Sequence, residues 1–327
     1  MKVLVLILMI YGISWAGEVR LTTWSSVEMD PSWSPDRTKI AFDSNYTGNT
    51  DIWIMNADGS NKINITNNST EDYNPCWSPD GAKIAFVSNR TETFQIWSCD
   101  PNGGNLIQIT NLPYNNYWPS WSPDMTKIAH KTDIPFDLQA DIYIYDLNNN
   151  TDTPLIQTSF LEQVPDWSSN GNIIAYSSYR YSLTDIYTKP AFGGSELLVT
   201  TQGPHDDCSP NWCFNDSKVL FNENVVNGQL WLVDSAGGTA TQLTFTLGLK
   251  FCPNISSDNV MVAYCKDNYG NYDIYSCPFD ELGQIGVVPT SLGNIKALYA
   301  GEQPAMNPPT NTVKAKTPRS WLSPYPH

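Results

Sequence analysis

The sequence predicts an all-β protein, a six-bladed β-propeller of four-stranded antiparallel blades. One anchor residue recurs every 43 to 46 residues, followed by a turn that resembles Ser-Pro-Asp-Gly. The anchors are Trp33, Trp77, Trp121, Trp167, Trp212 and, in the last copy, Ile255. A second anchor, an Asp-Ile-Trp-like tripeptide, follows each of them after 17 to 20 residues. A period near 40 to 45 residues with several short strands per unit is typical of propeller blades.

The four strands of a unit are clearest in the second copy. Residues 75–78 are extended and lead into the turn at 78–81, where proline presets φ and Asp-Gly completes a tight turn. Residues 83–87 are an apolar run, 94–97 form a third strand and 106–110 a fourth. Because such a sheet has two apolar faces, successive sheets must pack face to face around an axis to bury them.

The start of the chain is expected to close the ring. Arg20-Leu21-Thr22 matches the end of a unit, since Thr22 precedes its anchor by the same interval as Thr66 and Thr110 precede theirs. This segment has the pattern of a fourth strand but precedes the first strand of the first unit, so it would complete the last blade. Closing the ring in this way removes the exposed sheet edges. The alternative is that residues 284–288 supply the fourth strand of the last unit.

Three segments are expected along the chain. Residues 1–16 have the outline of a signal peptide, with Lys2, an apolar core at 3–13 and a small-residue cleavage site before Gly17. Its apolar stretch is too short to span a bilayer. Residues 17–292 form the propeller, and 293–327 are a proline-rich C-terminal tail. The mature chain is therefore predicted to be periplasmic or secreted, with no membrane span.

The repeat wording P-x-W-S-P-D-G-x-x-I-A-F-x-S, followed by D-I-W, D-G and L-T, resembles the WD-like propeller repeat of the TolB family. The resemblance covers residues 20–292 and implies protein–protein interaction in the bacterial envelope, with lipoprotein and inner-membrane partners. Family members carry an additional α/β domain before the propeller, and no such domain is expected in this chain. The function implied is an exported, non-catalytic scaffold.

Composition restricts the partners. The formal net charge is −15 and the pI is about 4.4, so neither nucleic acid nor an anionic membrane surface would be attracted to this protein. A cation or a basic partner is compatible with this charge, and acidity for solubility alone is the simpler explanation. The chain is expected to be a monomer that binds an envelope protein or peptide.

The loops that enter each first strand are predicted to lie at the mouth of the central channel on one face. The candidate binding residues in or beside these loops are Glu28, Asp30, Glu71, Asp72, Tyr73, Tyr117, Trp118, Glu162, Asp206 and Asp207. A ring of carboxylates there could hold Ca²⁺ or a basic peptide, and adjacent aromatic residues suit a partner surface. The alternatives are solvated loops without a ligand, or a carbohydrate-active lyase or hydrolase that uses a carboxylate pair.

The aspartates that open the third strands are interpreted as structural. They are Asp51, Asp141, Asp185 and Asp273. Hydroxyls at the ends of the second strands, Ser44, Thr132 and Ser178, are their expected partners. Recurrence in most units favours a structural role, because a catalytic group is needed only once.

No catalytic or metal-binding residues are predicted. The three histidines are His130, at an expected core position, His205 and the C-terminal His327, too few for a site of several imidazoles. The sequence also lacks a G-x-S-x-G nucleophile motif. We therefore expect neither an enzyme nor a bound cofactor, apart from the Ca²⁺ considered above.

The chain contains seven cysteines, and export would permit disulfides. Cys265 and Cys277 lie on consecutive strands of the last unit and are the predicted pair by proximity. An odd number leaves at least one thiol unpaired.

Overall fold

The computed structural model describes residues 17–134, 139–200, 206–224, 228–245, 248–268 and 270–279. The chain divides into two units, Met1–Val287 and Val288–His327. The second unit, which contains the predicted tail, lies outside the described residues, as do the predicted signal peptide and the alternative fourth strand at 284–288.

The described residues form short β-strands, most of which fall where the repeat predicts them. The strands are β1 (Val19–Arg20), β2 (Glu28–Trp33), β3 (Lys39–Ser44), β4 (Asp51–Asn56), β5 (Ile63–Asn64), β6 (Asp72–Trp77), β7 (Ile84–Thr91), β8 (Thr93–Cys99), β9 (Ile107–Gln108), β10 (Asn115–Trp121), β11 (Lys127–Ile134), β12 (Gln139–Asp146), β13 (Thr151–Ile156), β14 (Leu161–Trp167), β15 (Ile173–Arg180), β16 (Leu183–Pro190), β17 (Leu197–Leu198), β18 (Asp207–Cys213), β19 (Lys218–Glu223), β20 (Leu230–Asp234), β21 (Thr241–Gln242), β22 (Lys250–Ile255), β23 (Met261–Asn268) and β24 (Asn271–Pro278).

The strands form antiparallel four-stranded blades arranged as a propeller. Four separate four-stranded sheets have the orders β2-β3-β4-β5, β6-β7-β8-β9, β18-β19-β20-β21 and β1-β24-β23-β22. Within each sheet the strands are neighbours in sequence, apart from β1, which comes from the other end of the chain. The predicted all-β propeller of four-stranded antiparallel blades is confirmed at this level.

The third and fourth units depart from the predicted count of six separate blades. Strands β10 to β17 belong to one eight-stranded sheet, in which β13 pairs with β12. The link is a single parallel bridge between Ala140 in β12 and Leu161 in β14. The two units merge because the start of β14 lies beside the start of β12, an approach that the repeat spacing does not reveal.

The N-terminal strand closes the ring, as predicted. Strand β1 pairs antiparallel with β24, and the Leu21 amide donates to the Ile274 carbonyl at 2.8 Å. Thr22 Oγ1 accepts the Ile274 amide at 2.8 Å, and Arg20 forms a 2.7 Å ion pair with Asp273. The two ends of the propeller sequence therefore meet in one sheet.

The tryptophan anchors fill the space between neighbouring sheets. Trp77 packs with Ile84 and Phe86 of its own sheet and with Ile52 and Ile54 of the preceding sheet. Each sheet thus covers an apolar face of the next, as expected of radially packed blades. Removing such an anchor typically costs about 3–5 kcal/mol in a protein core.

His130 occupies the core position at which the other units place an aromatic residue. It is fully buried, and its Nε2 lies 3.1 Å from Asp152 Oδ1. Its Nδ1 lies 3.3 Å from the Thr132 hydroxyl. The polar substitution is therefore tolerated because both ring nitrogens have partners.

The Ser-Pro-Asp-Gly turns also form contacts between units. Ser78 Oγ donates to Asp80 and accepts the Lys83 amide at 2.9 Å, which holds the turn closed. Gly81 has a φ of 72°, and a Cβ there would come within 3.2 Å of Pro35 Cγ in the preceding turn. Glycine suits this left-handed position and the close approach, although Arg37 and Met125 adopt the same conformation, with φ values of 64° and 58°, in the equivalent turns of the first and third units.

The predicted pairing of Cys265 with Cys277 is wrong. All seven cysteines belong to the described part of the chain, and none of them is disulfide-bonded. In the β23–β24 register Cys265 lies opposite Ile274, and Cys277 lies opposite Val262. This offset of three residues separates the two cysteines by roughly 10 Å along the strands, too far for a disulfide.

Candidate functional site

The first strands of the repeat units converge on a central cavity of about 120 Å³. Its wall consists of six tripeptides with proline in the middle. These are residues 30–32, 74–76, 118–120, 164–166, 209–211 and 252–254. Each tripeptide ends one residue before an anchor, so the repeat itself places them around one channel.

A β-bulge precedes each proline. The register between first and second strands shifts at this point in every unit, and the residue before proline is left-handed. The φ values are 48° for Asp30, 51° for Asn74, 51° for Trp118, 52° for Val164, 53° for Ser209 and 49° for Cys252. Such a conformation is strained for a β-branched or bulky residue. The bulge bends the strand toward the channel.

A ring of hydrogen bonds joins consecutive units at this wall. In five of the six units the side chain after the proline accepts the backbone N–H of the next anchor, as Asn254 Oδ1 does from Trp33 at 2.8 Å. The other pairs are Ser32 with Trp77 (3.3 Å), Ser120 with Trp167 (3.1 Å), Asp166 with Trp212 (2.8 Å) and Asn211 with Ile255 (2.9 Å). Sequence reasoning missed this ring, although a small or polar residue between proline and each anchor was its signal.

Three of the candidate acids are buried inside their own units. Glu28, Asp72 and Glu162 are fully buried and occupy the same repeat position. Glu28 accepts the Ser44 hydroxyl at 3.1 Å, and Arg90 donates to both Asp72 oxygens at 2.9 Å. These carboxylates hold first and second strands together and do not line the cavity.

Glu162 repeats this arrangement in the fourth unit. It accepts hydrogen bonds from Ser178 at 3.0 Å and from Arg180 at 3.4 Å. Burial raises the pKa of Glu162 and of Glu28 above the usual glutamate range. Ser178 and Ser44 therefore donate hydrogen bonds to these glutamates, and not to the third-strand aspartates that the sequence predicted as their partners.

Three of the aspartates that open the third strands bond instead to threonines that follow the fourth strands. Thr66, Thr200 and Thr22 lie 3.4 Å from Asp51, Asp185 and Asp273, respectively. Asp141 is 4% exposed and lies opposite Thr132 in the β11–β12 register. Asp51, Asp185 and Asp273 thus connect the third strand of a blade to the end of its fourth strand, whereas the Thr132 hydroxyl donates to Asn116 at 2.9 Å.

Glu71 and Tyr73 bind each other. The Tyr73 hydroxyl donates to Glu71 Oε2 at 2.9 Å, and the same oxygen accepts the Thr50 amide at 3.1 Å. Tyr73 is 4% exposed, and burial raises the pKa of its hydroxyl. The pair anchors the entry loop of the second unit.

Asp206 and Asp207 belong to a group of carboxylates in the fourth and fifth units. Asp206 Oδ1 accepts the Thr184 amide at 2.7 Å. Burial raises the pKa of Asp207 to about 7, and the charges of Asp185, Glu223 and Asp206 add to this effect. Asp207 can therefore hold a proton near neutral pH.

An arc of aromatic rings ends at the channel. The ring centroids of Phe94 and Tyr117 are 5.4 Å apart, and those of Tyr117 and Trp118 are 5.9 Å apart. The Lys131 ammonium lies within 5.3 Å of both the Tyr117 and Trp118 rings. All three rings are partly exposed, and Trp118 lines the cavity. The arc offers an apolar surface beside a polar channel.

Two carboxylates, Asp30 and Asp166, line the cavity. Asn74 Nδ2 donates to Asp30 Oδ2 at 2.7 Å. Burial raises the pKa of Asp166 to about 7, although hydrogen bonds from Trp212, Ser120 and Asn211 oppose this rise. Asp30 was a candidate from the sequence, whereas Asp166 was missed because it follows a proline within a strand and not in a loop.

Among the described residues, no group of three or more His, Cys, Asp or Glu side chains is arranged to hold a metal ion. Across the same part of the chain, no helix has the length and apolar character needed to cross a membrane.

Four-stranded antiparallel blades around a lined channel define a β-propeller. The chain belongs to the TolB β-propeller domain family, whose family model matches residues 16–133 and 105–271. No curated protein sequence matches the chain significantly.

Three solved structures show where the fold recurs. A putative TolB from Agrobacterium tumefaciens has a TM-score of 0.64 at 22% identity, over 79% of this chain and 92% of that chain. TolB from Acinetobacter baumannii has a TM-score of 0.59 at 18% identity, over 77% of this chain and 63% of that chain. Oligogalacturonate lyase from Vibrio parahaemolyticus has a TM-score of 0.58 at 11% identity, over 82% of this chain and 94% of that chain. At these identities the likeness concerns the fold alone.

Proposed function

We propose that this protein is an exported, non-catalytic propeller of the bacterial envelope that binds a protein or peptide at its channel mouth. The observation that carries the proposal is the partly exposed arc of Phe94, Tyr117 and Trp118 beside a cavity lined by Asp30 and Asp166. Aromatic residues next to polar groups are typical of protein-binding surfaces. The net charge of −15 favours a partner segment that carries basic residues.

The propeller of this proposal has six blades. The eight-stranded sheet is counted as two blades because a single bridge joins its halves. Six proline tripeptides around one cavity and the five hydrogen bonds to successive anchors support this count. Each blade then contributes one segment of the binding channel.

The proposal predicts the consequence of removing one ring from the arc. Trp118→Asn deletes the indole but keeps the backbone, since Asn74 has the same φ of 51° at the equivalent position. We expect the variant to fold as the native chain does and to lose about tenfold or more in partner affinity, because a central aromatic residue often contributes 1–2 kcal/mol or more to binding. Affinity capture from solubilised envelope, followed by titration of the captured partner, measures this.

The matched control is Phe192→Ser. Phe192 is 77% exposed and follows β16 at the opposite ends of the strands, so its removal leaves the channel mouth intact. Equal loss of binding in both variants, or capture unaffected by Trp118→Asn, would contradict the proposed binding face.

A carbohydrate-active enzyme is the second candidate, supported by Asp207. Its raised pKa near 7 suits a general acid, and Glu223 lies opposite it in the β18–β19 register. Turnover of an acidic or neutral oligosaccharide that is abolished by Asp207→Asn would favour this candidate over the binding module.

A further inference from the structure

Two cysteines meet where the last unit adjoins the channel. Cys252 lies in the bulge of β22, lines the cavity and has a φ of 49°. Cys265 is fully buried in β23, opposite Phe251. Cys252 packs against the core cluster that contains Cys265, and the neighbouring Cys265 thiol together with burial raises the pKa of Cys252 well above its usual value.

The geometry is compatible with a covalent link. Neighbouring strands lie about 5 Å apart, within the separation of about 4–7 Å that the Cα atoms of a disulfide span. The register shift between Phe251 and Asn254 brings Cys252 to the neighbourhood of Cys265, whereas a regular strand would alternate their faces. The bulge therefore creates a cysteine pair that spacing along the sequence does not indicate.

We propose that Cys252 and Cys265 are a redox site, which a disulfide oxidant reaching the channel converts to an intramolecular disulfide. Cys252 is the entry point because it lines the cavity, whereas Cys265 is enclosed. The chemistry of this pair does not rest on the binding function proposed above, although Cys252 and Asp30 line the same cavity.

The reaction is a thiol–disulfide exchange in two steps. Cys252 loses its thiol proton and attacks one sulfur of the oxidant, which forms a mixed disulfide and releases the first thiol. Cys265 then loses its proton and attacks Cys252 Sγ, which releases the second thiol. The two protons pass to the two leaving thiolates, and the oxidant is reduced by two electrons.

Oxidation would also change the contact between the first and last units. After Cys265 and burial, Asp30 of the first unit also contributes to raising the pKa of the Cys252 thiol, and Asp30 accepts a hydrogen bond from Asn74. A disulfide sulfur has no proton to donate, so the interaction of Asp30 with this thiol would be lost. The redox state of the pair is therefore coupled to a carboxylate that lines the channel.

The test begins with the reduced full-length protein under native conditions. It is incubated with oxidised glutathione, quenched with acid, denatured, alkylated and analysed by peptide mass mapping without reduction. We expect the peptides containing Cys252 and Cys265 to be joined. The link should persist in Cys277→Ser and disappear in Cys252→Ser, a nearly isosteric change.

A second measurement follows the thermal unfolding midpoint of the oxidised and reduced forms. Oxidation should raise it by about 5 °C in the native chain and in Cys277→Ser, but not in Cys252→Ser, because the link constrains the unfolded chain. Alkylation of both cysteines after oxidation, a lasting glutathione adduct on Cys252, or a link between Cys265 and Cys277 would each overturn the proposal.

Discussion

The second and fifth repeat units place a carboxylate at the same position but surround it with opposite charges. Asp72 of the second unit is fully buried and receives two hydrogen bonds from Arg90 at 2.9 Å. Asp207 of the fifth unit lies opposite Glu223, and its pKa is raised to about 7. One backbone position can therefore hold either a structural ion pair or a carboxyl group that titrates near neutral pH.

We call the contact between a repeat unit and the preceding one a seam. The seams before the second and the fifth unit differ in the same way as the units themselves. The Trp77 amide is accepted by the neutral Ser32 hydroxyl at 3.3 Å. The Trp212 amide is accepted by the Asp166 carboxylate at 2.8 Å. The fifth unit and its seam are thus expected to respond to pH near neutrality.

The largest expected effect comes from breaking the ion pair of the second unit. Arg90→Met keeps most of the side-chain volume but leaves Asp72 buried without its cation, so unfolding free energy should fall by about 3–5 kcal/mol. Urea denaturation at neutral pH measures the loss. In Arg90→Met combined with Asp72→Asn the loss should be clearly smaller, and equal losses in both proteins would refute the explanation.

A smaller effect is expected from Asp166→Asn at the seam of the fifth unit. The pKa of Asp166 is about 7, above its ordinary 3.8, so the folded state retains a proton that the unfolded chain loses. Stability should therefore fall as pH rises from about 4 to about 7. Asparagine does not titrate, and we expect the variant to be about 2 kcal/mol more stable than the native chain at pH 8.

The matched control at this seam is Asp166→Ala, which cannot accept the Trp212 amide. Asn211 and Asn254 make the equivalent bond in the next two seams, so asparagine should preserve the ring, whereas alanine should destabilise at every pH. Thermal unfolding from pH 4 to pH 8 distinguishes the two. A native pH profile that survives Asp166→Asn would exclude Asp166 as its cause.

The smallest effect is expected from Glu223→Gln in the fifth unit. Removing the negative charge opposite Asp207 should lower the pKa of Asp207 below about 7, while burial keeps it above the ordinary 3.8. The pH-dependent loss of stability should then be smaller, which gives a gain at pH 8 of about 0.5–1 kcal/mol. Carbon NMR of the Asp207 carboxyl measures the titration directly, and an unchanged titration would contradict the assigned coupling.

The fold was largely predictable because it depends on local patterns that repeat. The anchors, the turns and the early Thr22 were sufficient to predict four-stranded blades and N-terminal closure. The merging of β12 with β14 was not predictable, since it depends on one bridge between Ala140 and Leu161.

The candidate site was predicted less well because the bulge changes which side chains face the channel. Glu28 and Asp30 are two residues apart and would share a face in a regular strand. In the structure Glu28 is buried within its unit, whereas Asp30 lines the cavity. The same bulge in the later units brings Asp166 to the cavity and Cys252 to Cys265.

The sequence by itself determined the architecture, because hydrophobic alternation, turn chemistry and a constant period act over a few residues and recur in every unit. Tertiary structure decided which polar side chains line the channel, which are ion-paired and which cysteines meet. Those outcomes depend on packing between units and on a left-handed residue before each proline, and neither is visible in residue type alone.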